Sequence, residues 1–306
     1  MNKKYMNPPR RIGGVSSRFG VGILYGSRIS FATRLKNKEI AAFSQDTSSC
    51  SKLYKIPFLR SLLVFRQIIL VFLLARRNLV QLARQNLVDL DRRKRIIQGL
   101  LFLMLYVAFI TYIDPLLGNL TPLLRWIILL LSLFLLIRLF FYLVLGDQSL
   151  KYHGAEHKVI HTFLSGDPLI LPAAQHHSRF AFRCGTTLAT LFFLLEILIP
   201  EHVYLFLEHR FGPTAGLLIL FFLILGFAYE VLSILSRPGT SKWLTLLSFP
   251  ITKMQLLTTR EPSLEELEVA LTAIREAVGW QTPSSNDFLR IFHRDWSSDN
   301  YPFSEW

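Results

Sequence analysis

Long apolar stretches separated by short charged segments dominate the middle of the chain. Four of them are long enough to cross a bilayer, and we predict spans at 96–113, 123–145, 186–207 and 213–235. Glu196 and Pro200 interrupt the third span, where a kink or an early exit stays open. The pattern predicts an all-α fold, a polytopic helical membrane protein with about four transmembrane helices and additional amphipathic helices in the interface.

The stretch 56–87 is apolar but is broken repeatedly by arginine. Each charge would cost about 2.5–3.5 kcal/mol at the centre of a span. The pattern therefore predicts an amphipathic helix in the interface or a shallow hairpin, and whether the segment crosses stays open. Residues 243–257 predict a second interfacial helix, and Ser263 with Glu266 predicts a capping box that starts a cytosolic helix ending near Val278.

Two segments flank the predicted membrane domain, which we place at 56–278 with a cytosolic loop at 146–185. Residues 1–55 are basic, lack a long apolar run and predict a cytosolic segment with one or two strands, for example at 28–34. Residues 279–306 are rich in Ser, Asp, Asn and Pro and are predicted to be disordered.

Composition supports a membrane protein. The chain of 306 residues is 51% hydrophobic and 18% charged, with mean hydropathy +0.37, which is too apolar for an ordinary soluble domain. Its net charge of +13 lies beside apolar runs and not in a separate basic domain, so we expect anionic lipid headgroups and no nucleic acid as partners. Lysine and arginine flank the spans but are absent between Asp114 and Pro122, which places the termini in the cytosol.

One motif directly after the second predicted span could carry chemistry. His153, Glu156 and His157 lie at i, i+3 and i+4, so on a helix they share a face where two imidazoles could close on a metal ion. The order H-x-x-E-H matches the inverted zinc-protease signature, in which the glutamate is the general base. A match of five residues also occurs by chance, and the alternative is a solvated helix beside the membrane.

A metal site needs a third ligand, and the chain up to the third span offers Cys184, His176 and His177. The alternative for Cys184 is a small apolar residue at a helix start, and for the two histidines plain loop residues. Glu230 in the fourth span is a functional candidate or the partner of an arginine such as Arg138 or Arg237.

Four motifs together resemble one family. YHGAEHK at 152–158, RCGT at 183–186, YE at 229–230 and TTREP at 258–262 are similar, in order and spacing, to the bacterial YqhQ-like family, a domain of unknown function often labelled a metal-dependent enzyme. The resemblance covers roughly 56–278. It implies a multi-spanning protein of the bacterial cytoplasmic membrane or of a plastid membrane.

The chain departs from the family pattern at three places. Ala181 and Phe182 stand where the family usually has a His-Pro pair, so a ligand of the family is missing. An acidic residue is replaced near Leu164, and Val21 fills the acidic position of a glycine-rich N-terminal motif. If those residues complete an active site, this chain has lost activity and kept the fold.

Two functions follow, and the scaffold is slightly favoured. The first is a non-catalytic membrane scaffold or assembly factor that binds anionic lipids and recruits an unknown membrane-protein partner. The alternative is a membrane-embedded, metal-dependent hydrolase with His153, His157 and Cys184 as ligands of a divalent metal ion such as zinc and Glu156 as the catalytic base.

Overall fold

The computed structural model describes residues 12–47, 56–90, 92–108, 146–236 and 249–279, together with isolated positions between 111 and 139. The predicted span 123–145 and the predicted disordered tail lie almost entirely outside this part of the chain. Helices and strands are numbered in chain order within these described residues.

The N-terminal residues form a four-stranded antiparallel sheet with its strands in sequence order. The strands are β1 Ile12–Ser17, β2 Gly20–Tyr25, β3 Arg28–Arg34 and β4 Ile40–Asp46. Successive side chains alternate between its faces: Ile29 and Phe31 face one layer, whereas Ser30 and Ala32 face the other. The prediction of an all-α fold is therefore wrong.

Helix α1, Leu59–Arg84, covers the first face of the sheet. Val71, Leu74 and Leu79 are buried against β2 and β3, while Arg76 and Arg77 are exposed on the outer side. These two of the arginines that break the apolar pattern thus lie on the side turned away from the sheet. Whether α1 also lies in a membrane interface stays a prediction.

Two helices from later in the chain cover the second face. They are α3, Asp147–Leu164, and α8, Leu264–Val278, whose apolar residues share one core with Val21 and Ile23. The Ser30 hydroxyl donates to the Ala273 carbonyl at 2.7 Å. The predicted capping box is present at the start of α8, where Ser263 N donates to Glu266 Oε2 at 2.7 Å.

The remaining helices are largely apolar. They are α2 Arg92–Ala108, α4 Leu171–His176, α5 Gly185–Ile197, α6 Glu201–Phe211 and α7 Pro213–Leu235. A 3-10 turn, Met254–Leu256, precedes α8. Leu191 of α5 packs against Ala228 and Leu232 of α7.

The prediction of a polytopic membrane protein is also wrong. Among the described residues only α7 is by itself long and apolar enough to cross a membrane. The predicted span 186–207 is divided into α5 and α6, which meet at 91°. Pro200 is the N-cap residue of α6, and because it has no backbone N–H it could not continue α5. That bent pair adds at most one further crossing. The described helix α2 covers the predicted span 96–113 only in part and does not qualify.

An ion pair joins the apolar helix α7 to α1. Glu230 of α7 accepts from Arg60 Nε at 2.7 Å and from the Phe58 backbone N–H at 3.1 Å. The Arg60 guanidinium also lies 5.9 Å from the ring centroid of Tyr229. The partner of Glu230 is thus an arginine, as one alternative predicted, but it is Arg60 of α1.

Candidate metal centre

Helix α3 presents His153, Glu156 and His157 on one face, as their spacing predicts. Gly154 lies inside this helix, where glycine lowers helix stability by about 1 kcal/mol relative to alanine. A Cβ atom at Gly154 would collide with the Arg260 carbonyl oxygen. The glycine therefore lets residues 258–262 lie directly against the helix.

Cys184 reaches the same place from the start of α5. It is the N-cap residue, with extended backbone, and its Sγ accepts from Thr186 N at 3.4 Å. Its side chain is buried, whereas Gly185 next to it is exposed.

The structure brings these three predicted ligands together. One ligand atom from each of His153, His157 and Cys184 lies within 4.8 Å of the others. His153 Nε2 and Cys184 Sγ are 3.2 Å apart. The two imidazole rings have centroids 4.5 Å apart. This cluster could hold a metal ion.

Backbone carbonyls orient both histidines. Nδ1 of His153 lies 2.9 Å from the Thr258 carbonyl oxygen, and Nδ1 of His157 lies 2.5 Å from that of Arg179. Because a carbonyl only accepts, each Nδ1 carries a proton, and each Nε2 is the ring atom left for a metal ion at the centre. His157 Nε2 is buried and makes no hydrogen bond within the described part of the chain. A buried nitrogen lone pair without a donor is what a metal ligand looks like before its ion binds.

The three groups perturb one another's pKa values. Burial alone would raise the pKa of the Cys184 thiol, but the imidazoles of His153 and His157 hold it well below its usual value. Burial alone would lower the pKa of His153, and the negative charge on Cys184 instead raises it to about 9. A thiolate is therefore the stable form of Cys184, and a thiolate is the form that ligates metals.

Glu156 lies beside the cluster, between α3 and strand β1. Burial raises its pKa to about 7, although the nearby imidazoles oppose that shift. A Cβ atom at Gly14 would collide with the Glu156 side chain. The Ser16 hydroxyl forms a hydrogen bond to the Glu156 carboxyl. The glycine of β1 thus makes the room in which the carboxyl lies.

A buried amide holds the loop that carries Cys184. Gln255 Nε2 donates to the Ala181 carbonyl at 2.5 Å and to Thr187 Oγ1 at 2.8 Å, while its Oε1 accepts from Ala181 N at 2.9 Å. Gln255 is fully buried. Ala181, where a family ligand is missing, is therefore held through its backbone.

An ionic group fixes the segment that carries the Arg179 carbonyl. Lys158 Nζ lies 2.7 Å from Glu261 Oε1 and donates to the Gln175 carbonyl at 2.8 Å. Arg179 lies 3.9 Å from the other oxygen of Glu261. Glu261 thereby connects α3 to the loop that orients His157.

The other candidates lie outside the cluster. His177 Nε2 pairs with Asp167 Oδ2 at 2.9 Å, and His176 is exposed at the end of α4. His161 is one turn beyond His157; burial, together with the nearby His157 and His177, lowers its pKa to about 3. Leu164 ends α3, and Val21 is buried in the core of the sheet.

The sequence did not show which residues position the ligands, although Thr258 belongs to the TTREP motif. Three positioning residues come from segments far from α3 in the sequence. Gln255 acts through its buried amide, Thr258 through its backbone carbonyl and Gly14 through the absence of a side chain. One signal was present in the motif itself. Gly154 interrupts a helix at a destabilising position, which indicates a close backbone approach.

Comparisons with known proteins agree with this motif arrangement. A sequence model of one family, described as "Protein of unknown function (DUF1385)", matches residues 56–280. Over 158 residues the chain is 35% identical to "Uncharacterized protein YqhQ" of Bacillus subtilis (strain 168), an alignment that covers 47% of each chain. The chain thus spans about half the length of that relative. No solved structure matches the chain.

Proposed function

The chain belongs to the DUF1385 family of proteins of unknown function, as a divergent member similar to YqhQ, and we propose that it is a zinc-dependent hydrolase. His153, His157 and Cys184 would hold one zinc ion. The observation that carries the proposal is the buried lone pair of His157 Nε2, which points to no hydrogen-bond donor among the described residues.

The donor set favours zinc at a reactive site. Two imidazoles and one thiolate suit this ion, and three protein ligands leave a fourth position open, as in catalytic zinc sites. Structural zinc sites are closed by four protein ligands. The Thr258 and Arg179 carbonyls supply the outer hydrogen bonds that ligating histidines almost always make.

A zinc ion bound here would polarise a carbonyl or phosphoryl oxygen of the substrate. Glu156 is positioned to take a proton from the attacking water, because its carboxyl lies beside the cluster and is itself held by Ser16. Gly14 keeps that position free of side-chain atoms. His157 and Cys184 are buried, whereas His153 is half-buried, so the centre lies near the surface of the protein.

The decisive experiment is the metal content of the purified full-length chain. We expect about one zinc ion per chain, with a large loss in His157→Ala and in Cys184→Ser. His176→Ala is the matched control, because His176 is exposed and outside the cluster. Native protein that holds no zinc after reconstitution, with its fold intact, would overturn the proposal.

A thiol nucleophile is the second candidate. It is favoured by the 3.2 Å separation between Cys184 Sγ and His153 Nε2 and by the position of Cys184 at a helix N-terminus. Iodoacetamide labelling in a Cys50→Ser background separates the hypotheses. Rapid alkylation of Cys184 in a protein that cannot bind zinc supports the nucleophile. Protein with neither zinc nor a reactive thiol supports the scaffold that the sequence slightly favours.

A further inference from the structure

The candidate metal centre lies at one end of the apolar helix pair α5 and α7. Cys184 caps α5, and Arg183 before it donates from Nε to Ser236 Oγ at 3.1 Å, directly beyond the last residue of α7. The Thr258 hydroxyl, from the residue that orients His153, lies 2.9 Å from the hydroxyl of Thr186 in α5. The ligands therefore lie near the first residue of α5 and the last residue of α7.

The outer surface of α7 is apolar and exposed. Only 28% of its most apolar stretch is buried, whereas the core helix of a soluble protein would be mostly buried. At 1.5 Å per residue the helix is about 34 Å long, slightly more than the hydrocarbon thickness of a bilayer. Its exposed large side chains are Leu217, Leu218, Phe221, Phe222, Leu223, Phe227 and Ile234.

Basic and aromatic side chains surround the end of α7 that carries the centre. Arg183 is exposed, and Lys253 Nζ lies 5.0 Å from the ring centroid of Phe180 and 4.9 Å from that of Phe249. Within the described ranges, neither Arg183 nor Lys253 forms an ion pair with a carboxylate. Aromatic rings and cations together are typical of the headgroup region of a bilayer, where the cations attract anionic lipids.

The centre can be approached from this same end. Gly185 is exposed, and a Cβ atom placed on it would meet no heavy atom within 4 Å. The adjacent Cys184 is buried, with 4% of its surface exposed. The residue next to the buried thiolate therefore faces open space, and a group larger than water can contact the first residue of α5.

Resting on the proposed function, we propose that the substrate is an anionic lipid whose phosphate-bearing headgroup reaches the metal centre past Gly185. Its hydrocarbon chains would lie along the exposed side of α7. The headgroup of this lipid matches the basic residues Arg183 and Lys253, and its hydrocarbon chains match the apolar surface of α7. A soluble phosphate would not use the apolar surface, and a lipid without net charge would not use Arg183 and Lys253.

The test uses the full-length chain in detergent with cobalt(II) in place of zinc. The cobalt–thiolate charge-transfer band reports metal binding at Cys184, and the visible d–d bands report a new ligand at the open position. The probes are dihexanoyl phosphatidylglycerol, dihexanoyl phosphatidylcholine and glycerol 3-phosphate. We expect phosphatidylglycerol to change the visible bands at a concentration about tenfold lower than either of the others.

Two variants localise the binding, and each leaves the thiolate band unchanged. Arg183→Gln should raise the half-saturating concentration of phosphatidylglycerol about fivefold, the loss expected for one basic residue near a headgroup. Gly185→Leu should raise it further by narrowing the approach. Arg210→Gln is the matched control, an exposed arginine at the opposite end of α7, and should leave it unchanged.

The outcomes separate this inference from the function on which it rests. Absence of the thiolate band refutes the zinc proposal and the lipid inference together. A normal thiolate band with an equal response to glycerol 3-phosphate refutes the lipid substrate alone. An equal response to phosphatidylcholine, or an equal effect of Arg183→Gln and Arg210→Gln, refutes the anionic headgroup.

Discussion

Replacement of Gly154 by alanine tests whether the close approach of residues 258–262 builds the metal centre. Helix propensity alone predicts that Gly154→Ala stabilises the protein by about 1 kcal/mol. The structure predicts the opposite sign, because the new Cβ atom would collide with the Arg260 carbonyl oxygen and would lie 3.3 Å from Pro262 Cδ.

The size of the change in unfolding free energy follows from the hydrogen bonds that the new Cβ atom would disturb. Arg260 N donates to the Leu150 carbonyl at 2.9 Å, and the Thr258 carbonyl accepts from His153 at 2.9 Å. Overpacking of this kind costs about 1–3 kcal/mol, and each weakened hydrogen bond adds about 1 kcal/mol. After the helix-propensity gain, we expect a net loss of about 2–4 kcal/mol in the free energy of unfolding.

The effect on metal binding should be larger than the effect on stability. A ligating histidine that loses its outer hydrogen bond typically loses about 10- to 100-fold in metal affinity. Competition with a chromophoric chelator measures this affinity, and denaturant unfolding measures the stability. Gly99→Ala is the matched control, since Gly99 lies inside α2 with no heavy atom within 4 Å of an added Cβ. If Gly154→Ala behaves like Gly99→Ala and keeps its zinc affinity, the argument is refuted.

Three further predictions concern other parts of the molecule. Glu156→Gln should keep its zinc but lose about 100-fold or more in hydrolysis, since a general base contributes about that factor; equal turnover would exclude Glu156 as the base. His161 has a folded pKa of about 3 and an unfolded pKa near 6.5, so its contribution to stability is complete above pH 6.5 and is lost as pH falls toward 3. His161→Leu should therefore flatten the acid side of the stability–pH curve, and an unchanged slope would contradict the burial of a neutral ring. Glu230→Ala should destabilise the chain by about 3 kcal/mol by leaving Arg60 unpaired, whereas the double variant Arg60→Met with Glu230→Leu should recover most of that loss in thermal unfolding.

The sequence predicted the shared face of His153, Glu156 and His157 better than it predicted the fold, because a helix has a fixed period. Cys184 was one of three candidates for a third ligand, and the structure brings it, and neither His176 nor His177, to the two histidines. A kink near Pro200 was one of the alternatives left open for the third span, and the structure has a 91° break there. Local geometry is what a single sequence encodes most directly.

The sheet was underestimated because of its composition. Gly20 and Gly22 stand in β2 where β-branched residues would have signalled a strand. Both are required by close packing, since a Cβ atom would collide with the Ala32 carbonyl at Gly20 and with Val71 of α1 at Gly22. The sequence predicts strands in residues 1–55 but not that α1 packs against them, so its arginines indicate a lipid surface where the structure has a sheet on the opposite side.

The sheet also determines when the metal centre can form during synthesis. Residues 12–46 pack against α8, and the hydrogen bond from Ser30 to Ala273 joins residues 243 positions apart. At translation speeds of about 5–20 residues per second, the strands wait on the order of ten seconds or more before α8 exists. The apolar helix α7 is already complete during that interval. The carbonyl of Thr258, which orients His153, is also made late, so the candidate centre is completed only when the two ends of the described chain meet.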